Sequence, residues 1–327
     1  MPAPPTVTGQ FRPEAVLASA PAMVVLGRLA RELRRQGYAN EVPTGGPTAE
    51  RTVARVGLGL DVDAHDVALA LGPTAPQDLL EAGAVDVVDG LVVPRFALYA
   101  EGPSLVLLPR DDGLAPDRVY FGRDTLWLAQ LARQWGPGRG AMADLGTGAG
   151  AVAALLAPAY ERVVATDVAP RTAASAAVTM ALNPRADGSP AGVVCVADVA
   201  AGLRGGAYDL VTANPPWVPD LGPGGVRRTY ARGGETGFEL PRRFVVESAE
   251  LLAPGGVAVV LGIDVTWADG SRPLVALARG LRRLGHEVAI VPTEAADVWP
   301  TLEADLTARF EGMRSVAHVV LLVRRPS

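Results

Sequence analysis

The chain has 327 residues, 49% of them hydrophobic, and its 30 basic and 35 acidic residues give a formal net charge of −5. That length and apolar content allow a substantial core and two domains. The acidic balance argues against a nucleic-acid enzyme, which usually carries a basic surface to offset phosphate charge. Every basic residue is arginine, which excludes a lysine Schiff base and a P-loop lysine. One cysteine and three scattered histidines give no metal-ligand spacing, so we expect no metal site.

The chain also gives signals about its compartment. No apolar run approaches the ~20 residues needed to cross a bilayer. The first residues lack the basic-then-apolar pattern of a secretion signal. The single cysteine, Cys195, cannot form an internal disulfide, which suits a reducing compartment. We therefore expect a cytoplasmic protein with no membrane partner, and the oligomeric state is left open.

The first 115 residues are expected to form a separate domain. Apolar positions at helical spacing predict helices at Met23–Gln36, Ala49–Leu58, Ala64–Leu71 and Ala75–Ala82. Asp89-Gly90 lies between two apolar runs, which predicts a β-hairpin, and strands are expected at 96–99 and 104–108. Helices followed by a two-stranded wing suggest a winged-helix-like shape.

The charges of this domain argue against nucleic-acid recognition. Between Arg55 and Arg95 the segment holds seven acidic residues and no arginine. A winged helix on DNA would need arginines on its reading helix, and the stretch 74–86 has none. We interpret residues 1–115 as a substrate lid or partner-docking domain, with structural support as the alternative.

A second domain, residues 116–327, begins after a linker rich in Asp, Pro and Gly at 110–118. Its first strand, Ala141–Leu145, leads into a glycine-rich turn and then into an apolar helix at 151–157. Glycine is needed where a strand turns sharply into a helix, because a Cβ would collide with the turn or with a ligand. Backbone N–H groups at the start of that helix favour a negatively charged ligand group.

The acidic residues around the turn favour one kind of cofactor over another. Asp167 ends the next strand, where a carboxylate can accept hydrogen bonds from both ribose hydroxyls. A nicotinamide dinucleotide site needs nearly the same parts. Asp144, two residues before Gly146, would however repel a pyrophosphate, and it suits a cofactor that bears an ammonium and a sulfonium. S-adenosylmethionine (SAM) is therefore preferred to a nicotinamide.

Asn214-Pro215-Pro216-Trp217 follows the apolar strand 209–213. An amide or guanidine nitrogen is a poor nucleophile because its lone pair is delocalised. If the Asn214 side-chain oxygen and the Pro215 carbonyl each accept one N–H, the nitrogen is held and its developing positive charge is stabilised. Pro216 stiffens the segment, and Trp217 offers a flat face to a planar substrate.

With these motifs the sequence resembles the class I SAM-dependent methyltransferases, over roughly residues 118 to 327. Within them it is similar to the Asn-Pro-Pro-aromatic group, whose members include release-factor glutamine N5-methyltransferases. Apolar runs predict four further strands, at 192–197 with Asp198 at its end, and at 257–265, 287–292 and 316–323. With the three strands before the motifs they give seven, of which the last two are close enough in sequence to pair antiparallel. The resemblance implies that these strands form a doubly wound, Rossmann-like α/β sheet, with S-adenosylhomocysteine as product. It implies cofactor contacts from Phe121, Asp144, Gly146, Thr147, Gly148, Gly150, Asp167, Val168, Asp198 and Asn214, with Asp124 and Thr125 as weaker candidates. The catalytic residues would be Asn214, Pro215, Pro216 and Trp217.

The expected enzyme is thus an N-methyltransferase, whose acceptor is a protein side chain or a small amino-acid-like metabolite. Two alternatives remain: a nucleic-acid base methyltransferase, and a non-catalytic binding module that keeps the cofactor fold. Trp217 replaces the tyrosine usual in the glutamine-methylating group, and a long loop follows it at 218–236. Its candidate substrate-binding residues are Arg227, Arg228, Tyr230, Arg232 and Glu235, together with Trp217.

The loop generates a first prediction. Arginine can hold a carboxylate with two parallel hydrogen bonds. If the loop selects an acidic or amino-acid-like acceptor, Arg227→Ala combined with Arg228→Ala should raise the acceptor KM about tenfold, since a charged hydrogen bond is worth ~1.5–3 kcal/mol. Steady-state kinetics would measure this, and an unchanged KM would exclude the clamp.

Overall fold

The computed structural model of the protein describes residues 10–110, 119–218, 231–293, 302–310 and 312–327. The helices of these residues are Pro13–Ala18 (α1), Ala20–Arg35 (α2), Thr48–Gly57 (α3), Ala64–Leu71 (α4), Ala75–Glu81 (α5), Arg123–Trp135 (α6), Ala151–Leu156 (α7), Pro170–Leu182 (α8), Glu239–Leu251 (α9), Pro273–Arg283 (α10) and Leu302–Arg309 (α11), with a short 3-10 helix at Ala157–Ala159. The strands are Val62–Asp63 (β1), Val85–Val88 (β2), Leu91–Pro94 (β3), Phe96–Glu101 (β4), Ser104–Pro109 (β5), Ala141–Leu145 (β6), Arg162–Asp167 (β7), Val193–Val196 (β8), Tyr208–Ala213 (β9), Leu252–Trp267 (β10), Glu287–Pro292 (β11) and Met313–Arg324 (β12).

A seven-stranded sheet forms the centre of the molecule, in the order β11-β12-β10-β9-β6-β7-β8. The five strands from β10 to β8 are parallel, and β12 runs antiparallel to both β10 and β11. Side chains of α6, α7 and α8 pack on one face of the sheet, and those of α9 and α10 pack on the other. The predicted doubly wound α/β sheet with an antiparallel final pair is therefore confirmed.

The register of two neighbouring strands brings the two sequence motifs together. β6 and β9 pair in parallel with Asp144 opposite Thr212 and Leu145 opposite Ala213. The next residue along each strand is Gly146 in one case and Asn214 in the other. The glycine turn and the Asn-Pro-Pro-Trp tetrad consequently start at the same level of the sheet, at the carboxyl ends where ligands bind in such folds.

β10 and β12 are longer than the sequence predicted. β9 pairs with β10 only as far as Ala213 opposite Val260, yet β10 continues to Trp267. Beyond Val260 its main-chain groups pair with β12 alone, up to Trp267 opposite Met313. The sequence predicted that β10 ends at Val265 and that β12 begins at Val316, so both strands extend further than expected. They do so because each is the antiparallel partner of the other and supplies hydrogen bonds beyond the last residue of β9. We call residues 261–267 and 313–320 the overhang.

The N-terminal part contains the hairpin that the Asp-Gly signal predicted. β2 and β3 pair directly, and the turn residues Asp89 and Gly90 both have positive φ, of 51° and 80°. Such a turn matches the twist of the strands, which explains the preference for this dipeptide. The short strand β1 also pairs with β3, so the sheet has three strands, in the order β1-β3-β2. Strands β4 and β5 form a separate pair.

The N-terminal core continues into the second half of the chain. Its buried cluster includes Val178 and Leu182 of α8. Asn183 accepts hydrogen bonds from the Leu105 N–H (2.9 Å) and from Arg34 (2.8 Å), and it donates to the Leu105 carbonyl (2.7 Å). The Leu107 N–H donates to the Thr179 hydroxyl at 3.1 Å. Side chains of α8 and of Asn183, the residue after it, therefore satisfy the edge of β5. Residues 111–118 of the predicted linker lie outside the described residues. A domain boundary at residue 115 stays a prediction.

Among the residues that the structure describes, no helix combines the length and the apolar character that a membrane span requires.

Asn183 generates a stability prediction. Asn183→Ala removes both partners of the Leu105 main chain and one partner of Arg34. We expect the free energy of unfolding to fall by about 2–4 kcal/mol, since each buried polar group left unpaired costs ~1–3 kcal/mol. Urea unfolding should show a lower midpoint with an unchanged slope.

The matched control is Ser189→Ala, because Ser189 contacts Asp187 within an exposed turn. Equal unfolding midpoints for the two variants would show that Asn183 does not hold β5 to α8.

Candidate active site

The glycine turn after β6 has the backbone conformation that the sequence predicted. Gly146, Gly148 and Gly150 all have left-handed φ, of 63°, 57° and 76°. Gly150 precedes the first residue of α7, and a Cβ added there would lie 3.0 Å from the Ala176 Cα. A larger residue at 150 would therefore be strained and would also push α7 away from α8.

Asp144 lies at the base of the turn and is only 2% exposed. Its carboxylate accepts hydrogen bonds from the hydroxyls of Thr147, at 2.6 Å, and Thr212, at 2.7 Å. Burial raises the pKa of Asp144 to about 6, and these two hydrogen bonds oppose the shift. The same side chain thus joins the glycine turn to β9, the strand that leads into the tetrad.

Asp167 ends β7 beside the turn, as predicted. One carboxylate oxygen accepts the Gly148 N–H at 3.1 Å, and the other accepts the Ala169 N–H at 3.0 Å. Burial raises the pKa of Asp167 above its ordinary value. The backbone therefore fixes the direction of the carboxylate at the tip of the strand.

A cavity opens above these strand ends, and most of the predicted cofactor residues line it. The predicted residues along its wall are Asp144, Gly146, Thr147, Gly148, Asp167, Val168, Asp198 and Asn214, together with the weaker candidate Thr125 and Pro216 of the tetrad. The sequence interpretation did not single out Tyr120, Leu128, Val152, Ala169, Thr172, Val199, Leu240 and Phe244, which also line it. These residues come from helices and loops distant in sequence, so no local motif marks them.

Two predicted cofactor residues lie away from the cavity wall. Phe121 packs its ring against Tyr99, with centroids 4.9 Å apart, and its neighbour Tyr120 lines the cavity instead. Phe121 is turned towards the β4–β5 hairpin where the chain enters α6, so Tyr120 is the member of this aromatic pair that faces the cavity. Gly150 supports α7 from behind and is not part of the lining.

Asp198 reaches the cavity differently from the prediction. The strand before it ends at Val196, so Asp198 belongs to the following loop and does not end the strand. Its side chain is 59% exposed and pairs with Arg243 at 3.2 Å. A ligand group that binds the Asp198 carboxylate would have to share it with, or displace, this exposed guanidinium.

The Asn214 side chain is held in one orientation. Its Nδ2 donates to the Asp124 Oδ2 at 2.7 Å. A carboxylate accepts hydrogen bonds and cannot donate them, so the amide nitrogen must face Asp124 and the amide oxygen must point away from it. Asp124 is 3% exposed and also accepts the Tyr120 hydroxyl and the Thr125 N–H, each at 2.9 Å. Asp124 is the second residue of α6, and its role as the partner of Asn214 was not suggested by the sequence.

The last residue of the tetrad lies beside the overhang. Trp217 is partly exposed, does not line the cavity, and packs with Ile263 and Val265 of β10 and Val316 of β12. Its ring meets His318 edge-on, with centroids 6.1 Å apart. Pro215 is buried and Pro216 lines the cavity, so the tetrad runs from the cavity to the overhang.

The loop after the tetrad closes at its base. The Val218 N–H donates to the Ala231 carbonyl and the Gly233 N–H donates to the Val218 carbonyl, both at 2.8 Å. The predicted substrate residues Arg227, Arg228 and Tyr230 lie outside the described residues. Arg232 and Glu235 are exposed, and Glu235 does not line the cavity. Of the described residues, no group of three or more His, Cys, Asp or Glu is arranged to hold a metal ion.

Comparison with known proteins covers the part of the chain that carries this site. Residues 122–263 match the family model described as "Methyltransferase small domain". A release factor glutamine methyltransferase of Moorella thermoacetica is 39% identical over 135 residues, which are 38% of this chain and 46% of that protein. The enzyme of the same name from Rhodospirillum rubrum is 36% identical over 42% of this chain and 44% of its own length. The chain thus spans less than half of each of these two relatives.

Solved structures with similar folds include P. horikoshii TYW2 in complex with MeSAdo, at 13% identity and a TM-score of 0.45, covering 70% of this chain and 71% of that one. A ribosomal protein L11 methylase from Lactobacillus delbrueckii subsp. bulgaricus gives 18% identity and a TM-score of 0.42, covering 66% and 84%.

The pKa of Asp144 generates a prediction on pH. If its carboxylate attracts a cationic cofactor, the Kd for SAM should rise about tenfold from about pH 7 to about pH 5, because protonation near pH 6 removes the negative charge. In Asp144→Asn we expect weaker binding with a flatter pH profile. Isothermal titration calorimetry measures both, and parallel profiles for the two proteins would contradict the assignment.

The stability of the SAM-free protein should depend on pH in the direction opposite to that of SAM binding. The folded pKa of Asp144 is raised above the unfolded value, so the folded state binds the proton more tightly. The Asp144 contribution to stability should therefore increase as the pH falls from about 6 towards about 4. Comparing wild type with Asp144→Asn in urea isolates this contribution from other titrating groups.

Proposed function

We propose that this chain, whose residues 122–263 form a class I SAM-dependent methyltransferase domain, transfers a methyl group to the side-chain amide nitrogen of a protein glutamine. The match of residues 122–263 to the methyltransferase small-domain model supports the predicted family, the enzyme class and SAM as the cofactor. The glutamine acceptor is our inference for this chain. It rests on the names of the partial relatives and on the geometry at Asn214.

The cavity fits the cofactor chemically. Asp144 and Asp167 give it a negative wall that suits an ammonium, a sulfonium and ribose hydroxyls. Val168, Val199, Leu240 and Phe244 give it an apolar wall that suits an adenine ring. When bound, SAM supplies an electrophilic methyl group on a positively charged sulfur.

The orientation of Asn214 carries the proposal. With its nitrogen held by Asp124, the Asn214 oxygen is available to accept an N–H from the acceptor amide. The Pro215 carbonyl belongs to the next residue and is the second acceptor, because one NH₂ group has two hydrogens to donate. They would aim the nitrogen lone pair at the cavity and stabilise the positive charge that develops on it. The proton in excess on the methylated nitrogen can pass to water.

Other observations favour one kind of molecule as the bearer of the nitrogen that is methylated. Both curated relatives named above are release factor glutamine methyltransferases, which favours a protein acceptor and a release factor as partner. A nucleic acid is disfavoured by the N-terminal segment, where Asp63, Glu81 and Asp89 are exposed and no arginine occurs between residues 55 and 95. The proposal includes a cytoplasmic location, as expected from the lone Cys195.

Catalysis should depend on Asn214 and on the residue that orients it. Asn214→Ala is expected to lower kcat about 100-fold or more, the usual effect of removing one preorganised polar group from a transition state. Asp124→Asn should lower kcat about tenfold, because an amide beside Asn214 no longer fixes which end faces the cavity. Discontinuous assays of methyl transfer measure kcat for both variants.

The control for this pair is Glu287→Gln, an exposed position on β11 that lies outside the cavity lining. It should keep the wild-type kcat. Full activity in Asn214→Ala would contradict the proposed role of the tetrad.

The acceptor itself can be tested directly. Purified protein, SAM and a bacterial release factor are incubated, and the release factor is digested and examined by mass spectrometry. We expect one glutamine-containing peptide to gain the mass of a methylene group. Parallel incubations with total RNA and with duplex DNA should give no methyl incorporation. Incorporation into nucleic acid alone would refute the proposed acceptor.

A further inference from the structure

His318 is a buried titratable residue that the proposed chemistry does not use. It lies on β12 opposite Ile263, within the overhang, and is 3% exposed. Its Nδ1 lies 2.9 Å from the Thr293 hydroxyl, which also donates to the His318 carbonyl at 2.8 Å. Its Nε2 is buried and has no hydrogen-bond partner among the described residues. An unpaired ring nitrogen is unfavourable in a core that a leucine or phenylalanine could fill. A histidine at this position therefore costs stability that an apolar residue would not.

The ring of His318 lies between two indoles. Trp127 stacks on it, with centroids 5.8 Å apart and planes at 17°. Trp217 meets it edge-on at 6.1 Å and 70°. Burial lowers the pKa of His318, which favours the neutral imidazole that such packing needs. Trp127 belongs to α6 and Trp217 is the last residue of the tetrad, so His318 joins the helix to the tetrad.

α6 therefore contacts one end of the tetrad directly and the other end through His318. Asp124 and Trp127 are three residues apart, which places them on the same face of the helix. Asp124 binds Asn214 directly, at 2.7 Å, and Trp127 reaches Trp217 through His318. The first contact sets the direction of an amide oxygen, and the second sets the plane of an aromatic ring.

We infer that His318 is a positioning residue for the methyl acceptor: held by Trp127, it fixes the ring plane of Trp217 at the acceptor end of the tetrad. The inference rests on the proposed function, because it takes Trp217 to be the surface against which the acceptor side chain lies. His318 does not line the cofactor cavity, so its effect is confined to the acceptor.

Variants of His318 separate this role from a general one in the core. His318→Ala removes the ring between the indoles, and His318→Phe keeps a ring and removes both nitrogens. The matched control is Val320→Ala, a fully buried position two residues further along the same strand, which packs in the α6–α7 core and lies outside the hydrophobic cluster that contains Trp217. Trp127→Leu removes the other ring of the same stack and provides the test if His318→Ala does not fold.

Kinetics with the release factor as acceptor are the first measurement. His318→Ala and Trp127→Leu should raise the acceptor KM about tenfold with a smaller change in kcat, because they disturb the placement of the acceptor and leave Asn214 in position. Val320→Ala should keep the wild-type KM, and His318→Phe should restore it to within about threefold. All four variants should bind SAM as the wild type does. An unchanged KM in His318→Ala, equal defects in His318→Ala and His318→Phe, or a matching loss of SAM affinity would each overturn the inference.

A spectroscopic measurement tests the inference without using an acceptor. Near-ultraviolet circular dichroism reports fixed aromatic packing, and the Trp127–His318–Trp217 array should contribute a tryptophan signal. We expect that signal to be lost in His318→Ala and kept in His318→Phe and Val320→Ala. A wild-type protein that methylates no release factor would refute the proposed acceptor alone. An unchanged spectrum in His318→Ala would refute the positioning role.

Discussion

The parallel pairing of β6 with β9 is the constraint on which the site depends. The pair Asp144–Thr212 lies in register, and the Thr212 hydroxyl bonds the Asp144 carboxylate at 2.7 Å, so one buried acid links the two strands. The glycine turn and the tetrad, almost seventy residues apart in sequence, each begin two residues beyond this contact. A shift of the register by a single residue would turn each side chain of one strand to the opposite face and separate the motifs.

The second constraint is the α6 helix, which acts on the tetrad from the side. Its first turns bring a carboxylate to Asn214 and an indole to the ring that supports Trp217. The tetrad is then held at both ends, and the segment between them is stiffened by two prolines. Preorganisation of this kind suits a reaction in which the protein mainly positions a weak nucleophile and stabilises its developing charge.

The overhang adds a wall that the rest of the sheet lacks. Because β10 and β12 continue past the end of β9, their apolar side chains stand beside the tetrad and pack against Trp217. An antiparallel final pair makes this possible, since each strand satisfies the main chain of the other without a third neighbour. The wall is thus a consequence of the topology as well as of the side chains.

The sequence by itself determined the sheet, the glycine turn, the acids at the strand tips and the chemistry that the tetrad can perform. Each of these is a local pattern of hydrophobicity or of residues with special backbone or polar properties. Only the tertiary structure decided that Tyr120 and not Phe121 lines the cavity, that Asp198 pairs with Arg243, and that Asp124 orients Asn214. Those outcomes depend on which side chains meet across distant elements, and no spacing along one chain fixes such meetings before the core has packed.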